Sequence, residues 1–94
     1  MLLSLLKVSG HSMEPSIKSG SIVIISSVSF IFLKPKIGEI VLFKRSREKL
    51  IKRVIKIKGE KYFLTGDNVD ESLDSRKIGW IKRKDILGKV IFSM

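Results

Sequence analysis

Three groups of residues in this 94-residue chain carry side chains that can do chemistry together. Ser12-Met13-Glu14-Pro15 supplies a hydroxyl, and Lys52-Arg53 an amine beside a guanidinium. Gly66-Asp67-Asn68, running on to Asp74-Ser75-Arg76, adds carboxylates and a second guanidinium. A serine hydroxyl is a weak nucleophile and needs a base beside it. The single histidine, His11, directly precedes Ser12, and adjacent side chains of an extended segment point to opposite faces. A lysine on another element can serve instead, since Ser-Lys pairs are a variant of triad chemistry. With no cysteine there is no disulfide, no thiol nucleophile and no zinc site of the usual kind. One histidine also argues against a transition-metal centre, so no metal or cofactor is expected.

The lysine must be placed by a strand. Leu50 to Lys58 reads as one, and its alternation puts Leu50, Lys52, Val54, Lys56 and Lys58 on one face. Ile51, Arg53, Ile55 and Ile57 take the other. Lys52 is thus flanked on its own face by Leu50 and Val54, surroundings that disfavour an ammonium. A free lysine titrates near ~10.4, and lowering that to about 7–8 would make an effective base. On the strand pattern alone, the simpler expectation is that Lys52 snorkels to solvent. Arg53 stays charged and, if buried, requires a carboxylate, for which Asp67 and Asp74 are the candidates. Gly66-Asp67-Asn68 by itself reads as a turn whose Asp and Asn cap their own backbone. Gly10 permits a backbone conformation that other residues resist, leaving room for a substrate carbonyl near the Ser12 N–H. Met13 is expected in the core or lining a pocket.

The remaining elements read as mostly β. Ile22-Val23-Ile24-Ile25 suits a strand buried on both faces, Lys34 to Gly38 a turn and Glu39 to Lys44 the next strand. Tyr62 to Leu64 gives a short strand and Lys89 to Phe92 a closing one, with one possible helical turn over Lys82 to Leu87. The expected fold class is all-β, a small, strongly bent antiparallel sheet or partly open barrel, in a single domain over residues 1–94.

The net charge of +10 favours anionic partners, with a solvated lysine-rich surface as the plainer explanation. Nucleic acid is not expected, because the basic stretch from Lys44 to Lys61 alternates with Ile and Val rather than with stacking aromatics. No apolar run approaches the ~20 residues of a spanning helix, and Met1 to Leu6 stops at Lys7.

In order and content these segments resemble the signal peptidase I family of membrane serine proteases. The resemblance rests on Gly10-His11-Ser12-Met13-Glu14-Pro15, Lys34-Pro35-Lys36-Ile37-Gly38-Glu39-Ile40-Val41 and Lys52-Arg53-Val54-Ile55 with Gly59-Glu60. Gly66-Asp67-Asn68 with Ser72-Leu73-Asp74-Ser75-Arg76, and Ile86-Leu87-Gly88-Lys89-Val90, complete it. It implies Ser12 as nucleophile, Lys52 as general base and Ser72 as the group that orients the lysine. It also implies Arg53 paired with Asp67, and Asp74 and Arg76 bracing the site, on a sheet of the signal peptidase–LexA type. The implied reaction is hydrolysis of one peptide bond after a leader or signal peptide with small residues at −1 and −3. The implied location is the cell membrane, held peripherally through Met1–Leu6, exposed apolar strands and anionic headgroups, or the cytoplasm if no export route exists. Two alternatives stand beside this reading. One is a LexA-type domain that cleaves itself, and the other is an inactive basic module that binds membranes.

Overall fold

Short runs of Ile, Val, Leu and Phe separated by glycine turns fold into strands because each run covers at least one buried face. The computed structural model describes residues 3–27, 34–68 and 79–94. Its strands are β1 (Leu3–Lys7), β2 (Ile22–Ser26), β3 (Ile40–Arg45), β4 (Glu48–Lys58), β5 (Lys61–Thr65), β6 (Ile81–Lys82) and β7 (Ile86–Ser93). They form one sheet in the order β1-β2-β7-β3-β4-β5-β6, and every pairing is antiparallel. The fold is therefore all-β, with β1 and β6 as the two ends of the sheet.

Both faces of the middle strands are covered, which is how a small sheet builds two cores by curling. Val41 and Phe43 of β3, Val54 of β4, Tyr62 and Leu64 of β5, Ile81 and Ile86 form one cluster. Leu42 of β3 and Ile51 of β4, the alternate positions, join Val8, Met13, Ile17, Val23 and Ile25 in the other. Burial of this kind contributes about 1.5–3 kcal/mol per large aliphatic side chain. Gly88 lets β7 lie close to β2, since a Cβ there would stand 2.7 Å from Ile25 Cγ2 and 2.8 Å from Ser26 O.

Several details depart from the sequence expectations. Met1 to Leu6 was not read as a strand, yet Leu3–Lys7 pairs with β2, Leu5 opposite Ile24 and Lys7 opposite Ile22. Strand β2 is buried on one face only, Val23 and Ile25 inward and Ile22 and Ile24 half-exposed. The helical turn is a single 3-10 turn, Arg83–Asp85, and β7 begins directly after it. In β4 the simple alternation fails beyond Val54. The register shifts there, so that Val54 faces Leu64 but Lys56 faces Phe63 and Ile57 faces Tyr62. One extra residue in a bulge flips every later side chain to the other face. Lys56 therefore does not share a face with Lys52, and Ile57 joins the Val54 side.

Candidate active site

The turn that carries Ser12 is built from the inside. Met13 and Ile17 are 2% and 3% exposed and anchor it in the second core cluster, beside Ile51. The Ile17 N–H donates to Met13 O at 2.9 Å, and the Glu14–Pro15 peptide is cis. Gly10, with φ of 86°, enters the turn in the left-handed region that glycine tolerates. Nothing lies within 4 Å of where its Cβ would be, so the backbone just before the serine borders open space. Met13 is core, not pocket lining. His11 Nδ1 lies 2.9 Å from Glu14 Oε2 at the surface. That hydrogen bond, with a second from the Ser19 N–H, holds the Glu14 carboxyl below its ordinary range.

Ser12 stands on the wall of a cleft of about 370 Å³. Leu6 and Val8 of the β1 segment and Leu50 and Ile51 of β4 share that wall. Leu50 and Ile51 are the two residues that precede Lys52 on the strand. Lys52 itself is 2% exposed, so it does not snorkel to solvent. Its strand neighbours explain this: Val54 is fully buried and Leu50 packs against the same cluster, while Val41 sits opposite on β3. Burial of this depth opposes the charged form of an amine.

Arg53, on the other face of β4, makes the strongest polar contacts of the region. Its Nε donates to Asp67 Oδ1 at 2.9 Å and its second terminal nitrogen to Asp67 Oδ2 at 2.7 Å, a two-point, charge-assisted geometry. Its remaining terminal nitrogen donates to Gly38 O at 2.8 Å. The hydrogen bonds from Arg53 hold the Asp67 carboxyl below its ordinary value; burial opposes this, and a further bond from Ser16 adds to it. Arg53 is shifted upward by the same partner.

Asp67 and Asn68 make contacts beyond their own turn. They reach across to the turn that carries Ser12. Ser16 Oγ donates to Asp67 Oδ2 at 2.5 Å, the Asn68 N–H donates to Ser12 O at 2.9 Å, and Asn68 Nδ2 donates to His11 O at 3.1 Å. The loop after β5 is thereby clamped to both sides of Ser12 and, through Asp67, to the residue next to Lys52. Ser16 was missed in the sequence because a serine one place after the proline of a turn looks like any turn former. The signal that could have found it is its hydroxyl position relative to a carboxylate 51 residues away, which no local pattern contains. Ser72, Asp74 and Arg76 lie outside the described residues.

Residues 3–91 match the Peptidase S24-like family. A 32-residue stretch is 56% identical to signal peptidase I of Buchnera aphidicola subsp. Baizongia pistaciae, covering 34% of this chain and 10% of that protein. Mitochondrial inner membrane protease subunit 1 of mouse and of human are each 31% identical over 92% of this chain and 66% of theirs. The chain thus spans less than two thirds of the length of these relatives.

Proposed function

The chain belongs to the Peptidase S24-like family, with relatives named signal peptidase I and mitochondrial inner membrane protease subunit 1, and from that membership we propose that it is a serine endopeptidase that removes a leader or signal peptide from a partner protein. Residues 1–94 act as one catalytic domain. The observation that carries the reading is a lysine 2% exposed, directly following the two β4 residues that share a cleft wall with Ser12. Beside a serine, an interior lysine supplies a base that needs no histidine.

The chemistry proceeds in two halves. Lys52, as the neutral amine, accepts the Ser12 Oγ proton while Oγ adds to the scissile carbonyl carbon. The Ser12 N–H, approached over the open space at Gly10, donates to the carbonyl oxygen as it becomes negative. When the C–N bond breaks, the Lys52 ammonium returns that proton to the departing amine. A water then gives a proton to Lys52 as its oxygen adds to the Ser12 ester carbonyl; when the C–Oγ bond breaks, the Lys52 ammonium returns that proton to Ser12 Oγ, freeing the leader's new carboxyl group and restoring the neutral amine. Ser72 orients the lysine, and Asp74 and Arg76 brace the loop, by resemblance. Arg53, Asp67 and Asn68 hold the nucleophile turn against β4.

Peripheral membrane contact completes the proposal. Leu5, Ile24 and Phe92 form one cross-strand row on the outer side of β1, β2 and β7, with Leu5 70% and Phe92 55% exposed. Leu3, two places before Leu5 on β1, extends this row, and Ile91 and Met94 are exposed beside Phe92; the cleft is lined by Leu6 and Lys7 of β1. Among the described residues no helix is long and apolar enough to cross a membrane. Flotation with anionic liposomes at low and high salt tests this part, and failure to float at either salt refutes it.

The central test is cleavage of a quenched fluorescent peptide with an Ala-x-Ala leader site in detergent micelles. Wild type is expected to cut, whereas Ser12→Ala and Lys52→Ala are not. Equal cutting by Lys52→Ala refutes the mechanism. Loss of intact mass on incubation without substrate would instead favour self-cleavage.

A further inference from the structure

The end of the sheet remote from the cleft carries a second surface that the peptidase chemistry does not use. The cleft lines β4 as far as Ile51, and the strand then runs to Lys58, about 23 Å along the strand at ~3.3 Å per residue. The molecule's longest extent is 32 Å. At that far end two shallow hollows adjoin. One, of about 460 Å³, is walled by Glu60, Lys61, Lys82, Arg83 and Lys84. The other, of about 440 Å³, is walled by Lys58, Glu60, Lys61 and Trp80.

The charge of this surface is one-sided. Among the described residues its single lining carboxylate is Glu60, engaged by Lys34 Nζ at 3.1 Å. Asp85 closes the neighbouring 3-10 turn half-buried and lines neither hollow. Like charges gathered this closely repel one another, so the grouping is stabilised when an anion is present. The hollows also offer apolar contact. The Trp80 ring is 40% exposed, held edge-on to Phe63 at 5.3 Å between centroids, and the lysine stems present methylene walls.

We propose that the β5–β6 end of the sheet is a docking site for an acidic polypeptide segment. Strand β6 ends the sheet, with β5 as its sole strand partner among the described residues. An extended peptide can pair with such an edge. Its carboxylates then meet Lys61, Lys82 and Lys84, and an apolar side chain meets Trp80. Nucleic acid fits less well. Lys56 Nζ lies 5.8 Å above the Phe63 ring, which leaves one indole rather than a series of stacking platforms. A lipid surface fits less well too, because the site is concave and stands at the opposite end of the sheet from the exposed apolar face of β1, β2 and β7. The proposal is independent of whether the cleft is catalytic.

Trp80 is the only tryptophan, so its emission reports on the site directly. The full chain is titrated with a short peptide of alternating Asp and Gly bearing one Leu. The same peptide with Lys for Asp, oligothymidylate and phosphatidylglycerol vesicles form the other arms. Saturable change with the Asp peptide alone is expected. Affinity should fall about tenfold in Lys61→Glu/Lys82→Glu, and by a smaller factor in Lys82→Gln/Lys84→Gln. Lys61→Arg/Lys82→Arg should keep it. If the reversal variant fails to fold, the Gln and Arg pairs decide. No response to the Asp peptide, an equal response to the Lys peptide, or unchanged affinity in both the Glu and Gln variants overturns the proposal. So does tighter binding of oligothymidylate or of vesicles.

Discussion

Replacing Asp67 should destabilise the protein well beyond what a surface ion pair would. Asp67 receives two hydrogen bonds from Arg53 and one from Ser16, with side-chain exposures of 32% for Arg53 and 18% for Asp67. Breaking a fully buried pair costs about 3–5 kcal/mol, whereas exposed pairs contribute about 0–1 kcal/mol. Discounting for the remaining exposure leaves about 2 kcal/mol for Asp67→Ala. In a chain of this length that lowers Tm by about 8–16 °C. Ser16→Ala removes one bond to a charged group and should cost about 1 kcal/mol. Because both act on one carboxylate, the double variant should show a coupling of at least ~0.5 kcal/mol.

The pH dependence has a definite sign. The folded state holds the Asp67 carboxyl below its ordinary 3.8, so the folded protein binds fewer protons than the unfolded chain as pH approaches that value. The stabilisation is therefore complete above about 3.8 and is lost as pH falls through the lower folded value. Thermal melts of wild type and Asp67→Asn should differ at neutral pH and converge in strong acid. Additive effects of Asp67→Ala and Ser16→Ala, or a gap that persists unchanged into acid, would refute the clamp.

Three further outcomes are expected. Lys52→Met, which keeps the volume and removes the buried amine, should abolish peptide cleavage while a cooperative thermal melt is retained, read by melts beside the cleavage assay. Gly88→Ala should cost about 1–3 kcal/mol by overpacking, since its Cβ would meet Ile25 and the Ser26 carbonyl under 3 Å; denaturant midpoints measure it. Tyr62→Phe should be neutral or stabilising by up to about 1 kcal/mol, because the Tyr62 hydroxyl is buried without a hydrogen-bond partner among the described residues, and a melt decides it.

The sequence by itself carried the strand positions of β2 to β5, the turn around Ser12 and the order of the family boxes. Those features are local: β-branched runs, glycine turns and short motifs are legible wherever they occur. It also placed Lys52 on the same face as Leu50 and Val54. Alternation tells which side a residue takes but not what covers that side, so whether Lys52 reached water was decided by β3 and the cluster around Tyr62 and Leu64. The bulge after Val54 was invisible for the same reason, since it exists only in the pairing of β4 with β5. Strand β1 acquires its identity from β2, and Ser16 acquires its role from Asp67 far along the chain. The basic end likewise appeared in sequence as lysines alternating with Ile and Val, and only folding brought Trp80 and Phe63 among them. Partners distant in sequence are chosen by packing and hydrogen bonding, which the tertiary structure alone decides.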